Sequence, residues 1–225
     1  MSIVNDTVAW LSDSAHWHGD DGVPHRLLEH LGYTALTIGI AGAIAIPLGL
    51  WIGHTGRLRG GAVALTGALR ALPTLGLLTF IVLYTGIGLT APIIALTVLS
   101  IPPLLAGAYS GLEAVDRQTI DAARAVGMTE WQILTKVEVP LALPLIVGGI
   151  RSAALQVVAT ATVAAFVSLG GLGRYIIDGQ KVSDYPQMVS GSVLVVALAL
   201  VIDGIFAVLQ KLALGARPSP QPSRA

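Results

Sequence analysis

Five long apolar windows constrain this chain more than any other feature, because no water-soluble fold of its size could bury them all. They fall at roughly 31–52, 62–85, 91–112, 141–168 and 187–209, and a helix needs about 20 such residues to cross the hydrocarbon core of a bilayer. The first and third carry no charged residue. The second holds only Arg70, the fourth only Arg151 and the fifth only Asp203. A transmembrane barrel would show ten-residue segments of alternating polarity, whereas these runs are continuously apolar. With 54% hydrophobic and 12% charged residues, the predicted fold is an all-α integral membrane protein of five transmembrane helices. The transmembrane domain is expected over 27–212, after an extracytoplasmic N-terminal segment, 1–26, and before a disordered cytoplasmic tail, 213–225, where "ARPSPQPSRA" is rich in proline.

Orientation follows from the Lys/Arg bias of the short loops. The 53–61 loop, the 113–140 segment and the C-terminal tail together hold Arg57, Arg59, Arg117, Arg124, Lys136, Lys211, Arg217 and Arg224, against Arg26, Arg174 and Lys181 on the other side. That bias puts the 113–140 segment and the C-terminus in the cytoplasm and the N-terminus outside. The N-terminal segment lacks the basic start and cleavage site of a secretory signal and is read as retained and solvated, with Trp10 and Trp17 at the outer interface. His16, His18 and His25 lack a fixed helical spacing, so no metal site is expected. The sequence contains no cysteine, which removes disulfides and thiolate chemistry from consideration.

Between the third and fourth windows, "RQTIDAARAVGMTEWQILTKVEVP" (117–140) is a polar island. Asp116 or Thr119 can cap a helix running to about Val126, Gly127 offers a C-terminal stop, and Thr129 can cap a second helix. Ile120, Ala123 and Val126 recur every third residue and lean to one side, and Ala122 with Ala123 offers a small-residue surface. Periodicity alone fits a docking element and an amphipathic helix lying on the bilayer equally well.

The spacing of this island resembles the EAA loop of ABC importer permeases, Glu-Ala-Ala, three residues, Gly, nine residues, Ile, one residue, Leu-Pro. Here Asp121-Ala122-Ala123 is followed after three residues by Gly127, and after nine more by Val137, Glu138, Val139 and Pro140. With "ALRALPTLGLL" at 68–78, residues 120–151 and "SLGGLG" at 168–173, the chain resembles the permeases of the glycine betaine, carnitine, choline and proline importers used in osmoprotection. The resemblance implies a type I ABC importer permease fold with a cytoplasmic coupling helix, in the bacterial cytoplasmic membrane. It implies cytoplasmic ATP-binding subunits, a second permease chain and an extracytoplasmic substrate-binding protein as partners, and no nucleic acid. Carried over, the ATPase-coupling residues are Asp121, Ala122, Ala123 and Gly127, flanked by Arg124, Met128 and Glu130.

The chain has no G-x-x-x-x-G-K-[ST] sequence with which to cradle nucleotide phosphates. It is therefore expected to be a transport subunit without its own ATPase site and without a cofactor, ATP and magnesium being used by the partner. "GGLGR" at 170–174 reads as a tight turn at the end of a span. Ionisable residues inside a membrane are costly and need partners, so Asp203 is expected to pair with Arg151 or Arg70 near the cytoplasmic half of the spans. Pro73 and Thr74 on the second window and Thr160 and Thr162 on the fourth are candidates for lining the route or gate. Three other readings remain: an ion-coupled secondary carrier using Asp203, a permease for another small solute such as an amino acid, and a non-transporting scaffold.

Overall fold

The computed structural model describes residues 2–167 and 169–215, which are helical apart from short connections. In chain order the helices are α1 (Ile3–Ser12), α2 (Val23–Thr55), α3 (Arg59–Arg70), α4 (Thr74–Thr85), α5 (Thr90–Glu113), α6 (Arg117–Ala125), α7 (Glu130–Ile133), α8 (Val139–Ala164), α9 (Gly173–Val182) and α10 (Tyr185–Gly215). A π-helical turn, Leu134–Glu138, joins α7 to α8 without a break. Four stretches are long and apolar enough to cross a membrane: α2, α5, Glu130–Val167 and Tyr185–Leu214.

The second window departs from expectation. In place of one span over 62–85, α3 and α4 meet at an 87° bend. Pro73 explains the break, since it lacks an N–H to continue the ladder and disfavours helical backbone at the residue before it. Arg70 consequently sits exposed at the elbow, not inside a continuous span. If the bent pair counts as one crossing, the crossings number five.

The centre of the molecule is the junction of α2, α5 and α8, which pack against one another. Its helices touch where side chains are missing. A Cβ added to Gly107 on α5 would lie 2.6 Å from Gly149 Cα on α8, and one added to Gly49 on α2 would lie 2.6 Å from Ala108 Cβ on α5. Small residues of this kind let membrane helices approach backbone to backbone. Proline creates one backbone vacancy in the junction, because Pro103 cannot donate to the Leu99 carbonyl four residues earlier. The Gln156 side-chain amide of α8 donates to that carbonyl instead, at 3.0 Å.

The N-terminal segment is also more ordered than a solvated tail. Ser2 caps α1, which packs on α10, and Trp10 is buried there among Val158, Leu172, Tyr175 and Leu198. Its indole stacks on His16 at 4.0 Å and meets Tyr175 edge-on at 5.3 Å. The acidic residues of the segment suggested solvation, but Trp10 supplies an apolar face that finds a matching aromatic far along the chain. At the other end, α10 continues as helix to Gly215; the rest of the expected tail, 216–225, lies outside the described residues.

Candidate functional site

The polar island folds as a helix, a turn and a second helix, each end fixed by hydrogen bonds to the backbone. Asp116 accepts from the Gln118 N–H at 3.2 Å and caps α6. Past Ala125 the chain closes through Gly127 N–H to the Arg124 carbonyl, 2.9 Å, and Met128 N–H to the Ala123 carbonyl, 3.2 Å. Those two bonds form a Schellman stop, which needs a left-handed residue after the cap, and Gly127 supplies it at φ +84°. Thr129 and Gln132 then make a reciprocal capping box at the start of α7, satisfying two donors that would otherwise be orphaned.

The expected coupling residues do not all face one way. Ala122 is exposed, but Ala123, one residue on and so about 100° around the helix, is buried against the body of the chain. Ile120 is half-buried on Ala123's side, while Val126, beyond the helix end, is 78% exposed. The outward surface of the island includes Ala122 and Val126, with Trp131, 71% exposed, beyond the turn, while Asp121, also exposed, lines the cleft between α6 and the ends of α2 and α5. Arg124 and Glu130 bond each other across that turn, Nε to Oε1 at 2.8 Å and Nη2 to Oε2 at 3.0 Å, and Arg124 also reaches Asp121 Oδ1 at 3.4 Å. The bond to Glu130, followed by the Coulombic pull of Glu130 and Asp121, raises the pKa of the Arg124 guanidinium.

Behind the island lies His54, which no motif or periodicity singles out. Its Nδ1 is 2.5 Å from Glu138 Oε2 and its Nε2 is 3.4 Å from Glu130 Oε2. Glu138 is 3% exposed. Its place inside the motif, at the free position before Val139 and Pro140, was a signal of a kind, since an acid at the mouth of an apolar helix needs a partner.

Of the three charges in the apolar windows, two meet. Arg151 and Asp203 form a two-pronged ion pair, Nε to Oδ1 and Nη2 to Oδ2, each 2.7 Å. Arg151 also touches Gln210 Oε1 at 3.4 Å, and Gln210 donates to the Pro144 carbonyl at 3.0 Å. Planar fork-to-carboxylate geometry of this sort is the strong form of such a pair. Arg70 makes no ion pair among the described residues. Both carboxylate oxygens of Asp203 bond Arg151, which meets the expectation that a charge inside a span finds a partner.

The route candidates do not form one surface. Thr160 and Thr162 are two residues apart on α8 and so about 200° apart around its axis. A Cβ on Gly173 would lie 2.6 Å from Thr162 Cα, which places Thr162 beside the start of α9. Pro73 is exposed and Thr74 half-buried at the α3–α4 elbow.

At the end of the bundle away from α6, a second polar cluster fastens α2 to α9. Arg26 pairs with Asp21 and, at 2.7 Å, with Glu29, and Glu29 Oε2 accepts the Gly171 N–H at 2.9 Å. The "GGLGR" segment is indeed a turn, Gly171 having φ +81°, but a carboxylate 142 residues earlier holds it. Tyr175 Oη donates to the Asp21 carbonyl at 2.6 Å; burial pushes its pKa up to about 12, so it acts as a neutral donor.

Comparison with known proteins decides the family. A family model described as the binding-protein-dependent transport system inner membrane component matches residues 45–214. The chain belongs to this family. As a permease it is 32% identical over 183 residues to the glycine betaine/carnitine/choline transport system permease protein OpuCB of Bacillus subtilis (strain 168), covering 81% of this chain and 84% of that one. It is 30% identical over 210 residues to the osmoprotectant import permease protein OsmW of Salmonella typhimurium, covering 91% and 95%. Its fold matches a chain of the MetNI methionine ABC transporter, solved in inward-facing conformations, with TM-score 0.73 and 25% identity over 83% of this permease and 93% of that chain. The architecture is the type I ABC importer permease fold, and the protein is an inner-membrane subunit that works with ATP-binding and substrate-binding partners.

Proposed function

We propose that this permease carries compatible solutes inward, namely glycine betaine, choline, carnitine or proline, and that ATP hydrolysis by a partner subunit drives its alternation between outward and inward openings. The observation that carries this reading is the polar island. It is a short helix, stiffened at both ends by backbone hydrogen bonds, presenting Ala122, Val126 and Trp131 outward from the end of the bundle where α2, α5 and α8 converge. A protein partner can close on such a knob and push it as a rigid body. The relatives' names support the solute class, and the resemblance of the island to the EAA loop supports the cytoplasmic ATP-binding subunit as the partner that grips it.

On this reading the α6 end is cytoplasmic and the Arg26–Glu29–Gly171 cluster faces outside, consistent with the Lys/Arg bias of the loops. The chain hydrolyses no ATP itself, since no phosphate-cradling sequence is present, and a second permease chain, identical or paralogous, completes the pathway. Aromatic residues make up 5% of the sequence, few rings with which to cage a quaternary ammonium by cation–π attraction. Tight solute selection therefore falls to the external binding protein.

Co-purification with the cognate ATP-binding subunit, comparing wild type with Gly127→Asp, tests the reading. Aspartate at φ +84° strains the stop and places a charge on the gripped surface, so association and glycine betaine uptake should both fall. Retention of both at wild-type level would remove the island from the coupling role.

A further inference from the structure

One imidazole links the island to the end of α2, beside the unbroken helix that carries the island into α8. His54 lies in the last turn of α2 with its side chain 15% exposed, one ring nitrogen facing Glu138 and the other Glu130. Glu130 is at the same time clamped by Arg124 of α6, and Glu138 closes the π-helical turn from which α8 begins. A carboxylate as buried as Glu138 is expensive unless a donor meets it. Among the described residues the His54 side chain is the group that does.

The π turn belongs to the same arrangement. In an unbroken α-helix, residues eight apart lie about 80° apart around the axis, whereas absorbing one residue in a π bulge leaves them about 20° apart. The turn over Leu134–Glu138 thus aligns Glu130 and Glu138 on one side of the helix, where one imidazole reaches both. Such bulges carry a cost in helix geometry and concentrate at functional positions.

α6 itself does not pack extensively on α2. The principal contacts of α6 are with α7 and the π turn, and a cavity of about 530 Å³, walled in part by Arg59, Glu113, Arg117 and Asp121, separates α6 from the ends of α2 and α5. Side-chain contacts run from Arg124 through Glu130 and His54 to Glu138, alongside the backbone path from α7 into α8.

We propose that His54 is a positioning residue of the transport cycle, a pin that makes a displacement of the coupling helix move α2 and α8 together. The proposal rests on the docking role of the island. Without the pin, the ATP-binding subunit would still hold the permease and push α8 through α7, but α2 would lose its side-chain tie to the island.

The test uses the whole complex, permease with its ATP-binding subunits in liposomes and with the binding protein, carrying His54→Ala or His54→Gln. Retention of the ATP-binding subunit should stay at the wild-type level, while solute moved per ATP hydrolysed should fall by about tenfold in His54→Ala, within the range of typical coupling between sites. His54→Gln keeps one N–H donor for Glu138 and should recover part of that loss. If His54→Ala folds poorly, His54→Gln combined with Glu138→Gln removes the ionic contact at nearly constant volume and should lower the same ratio. Unchanged solute per ATP in His54→Ala, or in that double variant, overturns the proposal. Loss of the ATP-binding subunit from the variants alone also overturns it, by making His54 part of the grip. Failure of the wild type itself to hold the subunit sinks the docking reading and the pin with it.

Discussion

The polar island and the α2–α5–α8 junction hold their shapes by opposite means. The loop is stiff with little packing: Asp116, the Gly127 stop and the Thr129–Gln132 box satisfy its backbone, while Ala122, Val126 and Trp131 face outward. The junction is packed where side chains are absent, Gly107 lying against Gly149 and Gly49 against Ala108. In the proposed function the island is a lever, which has to keep its form while staying open to a grip, and the frame it works against must not yield. Each region meets one of those demands.

The largest effect is expected from breaking the junction. Overpacking a filled core typically costs about 1–3 kcal/mol, occasionally more, and at Gly107 even a Cβ has no room. Gly107→Leu should therefore abolish a monodisperse species on size-exclusion chromatography in detergent; a well-behaved protein with wild-type melting would show that α5 and α8 are not in backbone contact. Gln156→Leu comes next and sharpens the contrast, since it tests a polar bond inside the junction. It leaves the Leu99 carbonyl without its donor, a loss of about 1–3 kcal/mol, so thermal unfolding should shift downward while association with the ATP-binding subunit is kept. The smallest effect belongs to the loop. Thr129→Ala removes a cap worth about 1 kcal/mol, and should weaken ATP-binding subunit association while scarcely moving the melting temperature of the spans. An equal drop in both would mean that loop and junction unfold as one unit.

Much of this was legible in the sequence, and the exceptions have physical reasons. Continuous apolarity located the spans because a bilayer demands length, yet hydropathy merges α3 and α4, as a bend at Pro73 changes direction without changing polarity. The Arg151–Asp203 pair could be anticipated because charges in lipid need partners; the choice between Arg151 and Arg70 needed the elbow at Pro73. Asp116, Gly127 and Thr129 announce their turns through local chemistry. His54 and Glu138 are 84 residues apart, and no local signal joins them. Trp10 and Tyr175 likewise meet only in the fold. The helical period sets Thr160 and Thr162 on opposite sides of α8.

Because the chain contains no cysteine, introduced thiols are unique, and they allow the central claim to be tested directly. Single variants Ala122→Cys, Val126→Cys and Ala123→Cys, treated in native membranes with a short thiol-to-amine cross-linker, report which side chains lie against the ATP-binding subunit. The account predicts adducts with that subunit from positions 122 and 126 and little or none from the inward-facing 123. No adduct from any of the three, or the strongest from 123, would contradict it.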